Sequence, residues 1–277
     1  MRLKEETEYL CEKYNFTPKR EWGQNFLIDQ KILKRIIQTL RLTKEDIVME
    51  IGAGTGILTE KLVQEGVRVI AVEVDKKLCK ILREKFKNTP NLEIREEDIE
   101  KFLREEEFSS KRPLKVAGNL PYRIASSILL TLMEKEWVKF MVVMVQREIG
   151  ERLIAKQGDK KRGVITILAN YYTKISPVMN VPPQAFFPLP RVSSTLLEIK
   201  RRGRNGVIDK SRFSLIVKAA FSSRRKTLEN SLSRALRIDK NYLREKLSQI
   251  KIDGKRRAET LDIEEFIKIT NTLNLNC

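Results

Sequence analysis

Apolar and polar positions along the first half of the chain form blocks that predict strands and helices in alternation. Residues 31–40 (KILKRIIQTL) place their aliphatic side chains on one face of a helix. The apolar runs DIVMEIG, VRVIAVEV, NLEIR, PLKVAGN and FMVVMVQ are typical of buried strands, with helical patterns such as TGILTEKLVQEG and KKLCKILREKF between them. Near-continuous apolar strands that alternate with helices predict an α/β fold with a parallel sheet covered on both faces.

The pattern changes after Gln146. A helical segment (REIGERLIAK) and a basic loop (QGDKKRG) precede two long segments, VITILANYYTKISPVMNV and STLLEIKRR. We expect these to be a pair of antiparallel strands at the far edge of the sheet. The run KRRGRNG, with two glycines and four basic residues, marks a domain boundary. From about residue 205 onward the spacing is helical, and Asp262 with Glu265 predicts a capping box.

The charge balance narrows the classes of partner. The chain has 277 residues, and its 55 Lys and Arg against 37 Asp and Glu leave a formal net charge of +18. Such an excess favours a polyanion, above all nucleic acid, over a small acidic metabolite. A generally solvated basic surface is the alternative.

Scarce residue types exclude several kinds of site. Cys11, Cys79 and Cys277 are scattered and form no CxxC pair, which argues for a reducing compartment and against a disulfide framework or structural zinc site. His is absent, which excludes His-based triads, metal sites with histidine ligands and imidazole general bases. The N-terminus lacks the apolar core of a signal peptide, and the longest apolar run, FMVVMV, is too short to span a bilayer. We therefore expect a cytoplasmic protein with no membrane partner and no metal.

The stretch EIGAGTG places Gly52, Gly54 and Gly56 where the first of these strands turns into a helix. Glycines at that point let the backbone approach a ligand at the carboxyl edge of the sheet. A dinucleotide fold would have G-x-G-x-x-G, whereas this chain has G-x-G-x-G with Glu50 two residues ahead. That variant is typical of enzymes that bind S-adenosylmethionine.

Two acids follow the glycine loop at the ends of later strands. Glu73 ends the second strand, where a carboxylate can accept both hydroxyls of a ribose. Asp98 follows the third strand, where an acceptor can bond an adenine amine. Either acid alone is equally well explained as a solvated strand end, but three glycines and two acids in register argue against chance.

The stretch GNLPYR ends the fourth strand at the same edge of the sheet. The side-chain oxygen of Asn119 and the main-chain carbonyl of Leu120 offer two acceptors to the exocyclic amine of a base. They would favour the positively charged amine that forms during methyl transfer. Pro121 stiffens the turn, and Tyr122 offers a face on which a base taken out of its helix can stack. The alternative is a simple turn with Tyr122 in the core.

Four motifs together resemble the adenine-N6 dimethyltransferases of ribosomal RNA: GQNFLID (23–29), EIGAGTG (50–56), AVEVD (71–75) and NLPY (119–122). Small-subunit enzymes, the KsgA family, share that set with large-subunit enzymes that confer macrolide resistance. Three further stretches favour the small-subunit branch, namely VPPQAFFPLPRVSS (181–194), AAFSSRRKTLENSL (219–232) and KRRAETLDIEEF (255–266). The resemblance covers residues 14 to 268, approximately.

The resemblance implies roles for the matching residues. The implied cofactor residues are Gln24, Asn25 and Leu27 over the methionine end, Gly52 and Gly54 beneath it, Glu73 at the ribose, Asp98 at the adenine, and Asn119. The implied catalytic residues are Asn119, Leu120, Tyr122 and Phe186, with Phe187 as the alternative to Phe186 for stacking on the target adenine. Two positions depart mildly from the family. Ala53 stands where Pro is common, and Glu97, where Gly is common, adds a charge near the adenine pocket.

Two basic clusters are candidate phosphate contacts. Arg224, Arg225 and Lys226 are expected to begin a helix of the second domain, and Lys160, Lys161 and Arg162 lie in a loop. Such clusters position RNA without specifying its sequence. A solvated charged face is the alternative for each residue taken singly.

The resemblance implies a Rossmann-like class I methyltransferase domain over residues 1–204, with a mostly parallel seven-stranded sheet. A smaller all-α domain over residues 205–277 would bind RNA and the ribosome. The implied reaction is dimethylation of N6 of two adjacent adenines near the 3′ end of small-subunit ribosomal RNA. Its cofactor would be S-adenosylmethionine and its partner an assembling small subunit, and we expect a monomer. The alternatives are methylation of large-subunit RNA or of DNA, and a ribosome-assembly factor with little catalysis.

Overall fold

The computed structural model of the chain describes residues 3–19, 22–105, 114–203, 206–207 and 209–273. The strands are β1 (Phe26–Leu27), β2 (Ile47–Ile51), β3 (Arg68–Glu73), β4 (Leu92–Glu96), β5 (Leu114–Asn119), β6 (Val138–Gln146), β7 (Thr173–Val181), β8 (Phe186–Phe187) and β9 (Ser194–Arg201). The helices are α1 (Leu3–Lys13), α2 (Gln30–Leu40), α3 (Ile57–Gln64), α4 (Lys76–Lys85), α5 (Ile99–Glu105), α6 (Ala125–Glu134), α7 (Arg147–Leu153), α8 (Val164–Tyr172), α9 (Lys210–Ala220), α10 (Leu228–Leu236), α11 (Lys240–Gln249) and α12 (Ile263–Thr272).

Within these residues, seven strands form one sheet in the order β4-β3-β2-β5-β6-β9-β7. Strands β2 to β6 pair in parallel, and β9 pairs antiparallel with β6. Ile51 at the end of β2 is level with Val72 of β3 and Gly118 of β5. The carboxyl ends of these strands therefore meet at one edge, and the predicted mostly parallel seven-stranded sheet is confirmed.

Burial explains why the central strands carry continuous apolar runs. Val48, Met49 and Ile51 of β2 are almost fully buried, as parallel strands with helices on both faces require. The last strand of the sheet, β7, contains Pro177 and is largely half-buried or exposed. Proline is tolerated there because an edge strand needs fewer backbone donors. The core thus lies under the strands whose ends carry the glycine and acid motifs.

The chain divides into two compact units. The first comprises Met1–Gly150 and Lys174–Arg201, and the second comprises Glu151–Thr173 and Arg202–Cys277. The boundary drawn from sequence at residue 204 differs from this division, because residues 151–173 group with the second unit. Within that unit Tyr171 of α8 packs against Phe213 of α9, with ring centroids 4.6 Å apart. The capping box of Asp262 and Glu265 at the start of α12 is confirmed.

Two expectations about local structure are wrong. The segment VITILANYY is helix α8 rather than part of a strand, and Thr173–Val181 after it is the strand. Its β-branched and aromatic residues favour a strand by composition, but Ile167 and Tyr171, four residues apart, are both buried on one helical face. Arg224, Arg225 and Lys226 do not begin a helix, because they lie in the turn before α10.

Cys11 and Cys79 are free thiols, and Cys277 lies outside the described residues. In the described parts of the chain, no helix has both the length and the apolar composition needed to cross a bilayer.

Gly118 lies where the backbone of β5 approaches that of β2 closely. Its φ is +151°, and a Cβ at this position would lie 2.4 Å from the carbonyl oxygen of Ile51. Because a backbone atom cannot move aside without distorting the sheet, we expect Gly118→Ala to lower the free energy of unfolding by about 2 kcal/mol or more, measured by denaturant titration. Gly163→Ala is the matched control, since a Cβ there meets nothing within 4 Å. Equal stability of the two variants would contradict this packing.

Candidate active site

The carboxyl ends of β2, β3 and β5, with the loops after them and after β4, line a cleft at one edge of the sheet. The space within the cleft is about 980 Å³, counting the part open to solvent. All the residues predicted to bind the cofactor line it, namely Gln24, Asn25, Leu27, Gly52, Gly54, Glu73, Asp98 and Asn119. The fold therefore brings together residues that are far apart in the sequence.

Hydrogen bonds join the glycine loop to the acid that ends β3. The amide of Gly54 donates to Oε2 of Glu73 at 2.9 Å, and the amides of Val74 and Asp75 donate to Oε1 at 2.9 and 3.0 Å. Gly54 has a φ of +57°, and a Cβ there would lie 2.8 Å from the ring of Phe26. Glycine is required for both reasons. Oε2 of Glu73 accepts one bond and retains lone-pair capacity for a further donor such as a ribose hydroxyl, whereas Oε1 already accepts two.

Glu50 received no role from the sequence, yet it lines the cleft. It is 1% exposed, and its Oε2 accepts a 2.6 Å hydrogen bond from the hydroxyl of Thr59. Burial, with a further contribution from the charge of Glu73, raises the pKa of Glu50 to about 8, although Thr59 opposes the shift. Burial also raises the pKa of Glu73 despite its backbone hydrogen bonds. A bound cation would favour the ionised form of both acids.

Asn119 presents a buried oxygen that needs a donor. Its Nδ2 donates to the main-chain carbonyl of Asn25 at 2.9 Å. Because a carbonyl only accepts, this bond decides which end of the amide is nitrogen and which is oxygen. Oδ1 is buried and has no hydrogen-bond partner within the described residues. An unpaired buried acceptor costs about 1–3 kcal/mol, so Oδ1 marks a place for an N–H donor.

Residues 22–27, which we call the covering segment, all line the cleft. Strand β1 in this segment pairs antiparallel with β8, which places Phe26 opposite Phe187 and Leu27 opposite Phe186. The side-chain Nδ2 of Asn25 donates to the main-chain carbonyl of Gly23 at 3.0 Å. The segment is thus anchored at one end by β8 and contacts Asn119 through its backbone.

The predicted adenine end of the cleft is open to solvent. Asp98 is exposed, and its Oδ1 accepts from the amide of Lys101 at 3.0 Å in the first turn of α5. Val74 and Ile99 line the cleft beside it and offer apolar surface to an adenine ring. Neither residue could be identified from its sequence context, because an apolar side chain next to an acid has no distinctive pattern.

Three predicted catalytic residues, Leu120, Tyr122 and Phe186, do not line this cleft. The amide of Leu120 donates to Met144, and the hydroxyl of the half-buried Tyr122 lies 2.9 Å from Oγ of Ser194. Phe186 is 2% exposed and packs in the core, so its face is not available to a base in this structure. The stacking role predicted for Phe186 does not fit this burial, whereas the roles of Leu120 and Tyr122 stay predictions.

The basic clusters belong to the second unit. Arg224, Arg225 and Lys226 are exposed. Lys160 and Lys161 are also exposed, and Lys161 pairs with Glu151 at 2.7 Å. The predicted phosphate contact of Arg162 is wrong. That residue is 7% exposed, and its guanidinium donates to the main-chain carbonyls of Glu259 and Leu261.

The raised pKa of Glu50 predicts a pH-dependent stability. Between the ordinary glutamate pKa, about 4.3, and about 8, the folded state holds a proton that the unfolded state has released. The free energy of unfolding should therefore fall as pH rises through this window and level off above it. Glu50→Gln removes this slope while keeping an acceptor for Thr59, so denaturant titrations should show its advantage over wild type growing up to pH 8. The exposed Glu65→Gln is the control, and parallel curves for Glu50→Gln and wild type would contradict the burial of an ionisable Glu50.

Several known proteins are similar to this chain. Ribosomal RNA small subunit methyltransferase A of Bacillus mycoides (strain KBAB4) is 40% identical over 280 residues, which cover 98% of this chain and 96% of that relative. The dimethyladenosine transferase of Plasmodium falciparum matches with a TM-score of 0.76 and 25% identity over 88% of this chain and 95% of its own. The 23S rRNA methyltransferase ErmE matches with a TM-score of 0.68 and 26% identity, covering 90% and 99%.

Residues 15–275 match the family described as ribosomal RNA adenine dimethylase. The match includes the glycine loop, the acid that ends β3 and the turn after β5. Every residue that lines the cleft lies within the matched range. The chain belongs to the ribosomal RNA adenine dimethylase family.

Proposed function

We propose that this protein dimethylates N6 of adenines in small-subunit ribosomal RNA with S-adenosylmethionine as the methyl donor. The observation that carries the proposal is the unpaired, buried Oδ1 of Asn119 at the edge of the sheet. Its neighbours in the cleft are two buried acids and a glycine loop. The acceptor oxygen suits an amine substrate, and the two acids suit a positively charged cofactor.

The residues present fit the cofactor. Glu73 would accept a ribose hydroxyl at Oε2, while Asp98 with Val74 and Ile99 would hold the adenine. Gly52 and Gly54 would support the cofactor from below, and the covering segment would close over its methionine end. When bound, the cofactor supplies an electrophilic methyl group. A positive charge bound in the cleft would favour the ionised forms of the two buried acids, which would then attract it.

Asn119 would act on the target amine. The lone pair of an exocyclic amine is delocalised into the ring, which makes the amine a poor nucleophile. Oδ1 of Asn119 would accept one N–H and the main-chain carbonyl of Leu120 the other, favouring the tetrahedral, positively charged nitrogen of the transition state. The hydrogen bond to Asn25 holds the amide in place before substrate arrives, so little reorganisation is needed.

The target base must leave its helix to reach this amide. Tyr122, fixed by its hydroxyl contact with Ser194, would stack on one face of the base. Phe187 replaces Phe186 in our proposal for the second face, because Phe187 is half-buried whereas Phe186 is in the core. A sandwich between two aromatic rings would hold the amine against Asn119 during both transfers.

We also propose which adenines are methylated, in which particle, and which residues contact the RNA. The substrate would be two adjacent adenines near the 3′ end of the RNA, presented in an assembling small subunit. The enzyme would act as a monomer in the cytoplasm without a metal. The helical region from residue 205, with residues 151–173, would grip RNA through Lys160, Lys161, Arg224, Arg225 and Lys226, which are exposed.

Removing the amide of Asn119 separates catalysis from binding. We expect Asn119→Ala to lower kcat at least about a hundredfold, because the transition-state amine loses an acceptor, while RNA affinity measured by filter binding changes little. Asn91→Ala is the matched control. The side-chain amide of Asn91 donates to the main-chain carbonyls of Val63 and Val67 just before β4, away from the cleft. Normal turnover by Asn119→Ala would refute the acceptor role.

The substrate is tested by offering the enzyme labelled S-adenosylmethionine with unmethylated small-subunit particles, large-subunit RNA or duplex DNA, and mapping the product by mass spectrometry. We expect label on N6 of two adjacent adenines of the small-subunit RNA. Label confined to large-subunit RNA would overturn the assignment. Tight particle binding without label would indicate an assembly factor instead.

A further inference from the structure

Asp75 is a buried acid to which neither the motifs nor the mechanism give a role. It follows β3 by two residues and is 3% exposed. Its Oδ1 accepts from the amides of Lys77 and Leu78, at 2.9 and 3.5 Å, and so caps α4. Its Oδ2 accepts from Nζ of Lys19 at 3.0 Å and from Nε2 of Gln24 at 3.3 Å. One oxygen thus serves the helix, and the other binds residues in and before the covering segment.

Comparison with another helix cap shows that the second set of bonds is additional. Asp239 caps α11 with Oδ1 alone, which accepts from the amides of Asn241 and Tyr242. Asp75 makes the equivalent pair of bonds with its own Oδ1. The contacts of its Oδ2 are therefore not needed to start a helix, and their effect must be sought at the covering segment.

The same residue is bonded to the predicted ribose ligand. The amide of Asp75 donates to Oε1 of Glu73, whose Oε2 accepts from the amide of Gly54. A continuous set of hydrogen bonds therefore runs from Gln24 through Asp75 and Glu73 to the glycine loop. Each of these residues except Asp75 lines the cleft.

Charge strengthens the link. Burial alone would raise the pKa of Asp75, but the hydrogen bonds from Lys19, the amide of Lys77 and Gln24 outweigh it, and the net pKa lies below the ordinary value. The acid is therefore ionised near neutral pH and bonds Lys19 as a charged pair. Charge-assisted hydrogen bonds are the stronger kind, particularly where one partner is buried.

We propose that Asp75 is a positioning residue whose Oδ2 holds Lys19 and Gln24, so that the covering segment and Glu73 form one preorganised cofactor site. This inference rests on the proposed function, because it takes Glu73 and the covering segment as cofactor ligands. A segment already held in place loses less conformational freedom when the ligand binds, which increases affinity. Asp75 itself need not touch the cofactor.

Asp75→Asn isolates the contacts of Oδ2. Asparagine retains an oxygen that can cap α4, but its NH2 group cannot accept from Lys19 or Gln24. We expect the dissociation constant for S-adenosylhomocysteine, measured by calorimetry, and the KM for S-adenosylmethionine each to rise about tenfold, with kcat within about twofold of wild type. Lys19→Met should act in the same direction. The double variant should lose less than the product of the two single effects, because both remove one interaction.

A second readout does not depend on activity. Nζ of Lys19 lies 4.0 Å from the centroid of the Trp22 ring, in the covering segment. The chain has two tryptophans, so Trp137→Phe leaves Trp22 as the sole tryptophan. In that background Asp75→Asn should shift the Trp22 emission, and S-adenosylhomocysteine should reverse part of the shift. Asp239→Asn, which changes a helix cap alone, should leave both emission and binding unchanged.

Cofactor affinity equal to wild type in Asp75→Asn would overturn the proposal, as would a loss in kcat without a change in binding, or full additivity with Lys19→Met. If Asp75→Asn does not fold, Lys19→Met provides the test instead, because the side chain of Lys19, unlike that of Asp75, is partly exposed. Wild-type affinity in that variant would overturn the coupling. A wild-type protein that binds no S-adenosylhomocysteine would refute the proposed function instead, so the two failures are distinguishable.

Discussion

The hydrogen bond from Nδ2 of Asn119 to the carbonyl of Asn25 is the contact on which the rest of the site depends. It joins the end of β5 to the covering segment and determines that the oxygen of the amide is the end left without a partner. Preorganisation of this kind is effective because the acceptor is already desolvated when charge develops on the amine. The parallel sheet makes the contact possible by placing the ends of β2, β3 and β5 at one edge.

Electrostatics give the cleft a preference for cations. Glu50 and Glu73 are both buried, and burial raises the pKa of each. A phosphate beside these acids would disfavour their ionised forms still further, and the glycine loop lacks the dinucleotide spacing. A positively charged cofactor, in contrast, would offset the cost of ionising them. The same edge of the sheet thus selects for the cofactor by charge and for the substrate by a hydrogen-bond acceptor.

Much of this arrangement was predictable because it depends on local patterns. Apolar periodicity identified the strands of the sheet, and the position of Gly52, Glu73 and Asn119 at strand ends implied a shared edge. Packing between distant segments was not predictable. Composition suggested a strand for residues 164–172, whereas burial of one face makes them a helix. Arg162 looked like a surface cation until the fold placed it beside two carbonyls. Phe186 could be told from Phe187 only by its burial.

Binding of the methylated amine by Oδ1 of Asn119 can be observed directly. This requires an experimental structure of the protein with S-adenosylhomocysteine and a small-subunit RNA fragment that contains the target adenines. We expect an extruded adenine with N6 within hydrogen-bond distance of Oδ1. An adenine bound in the cleft with its N6 bonded elsewhere and Oδ1 still unpaired would contradict it.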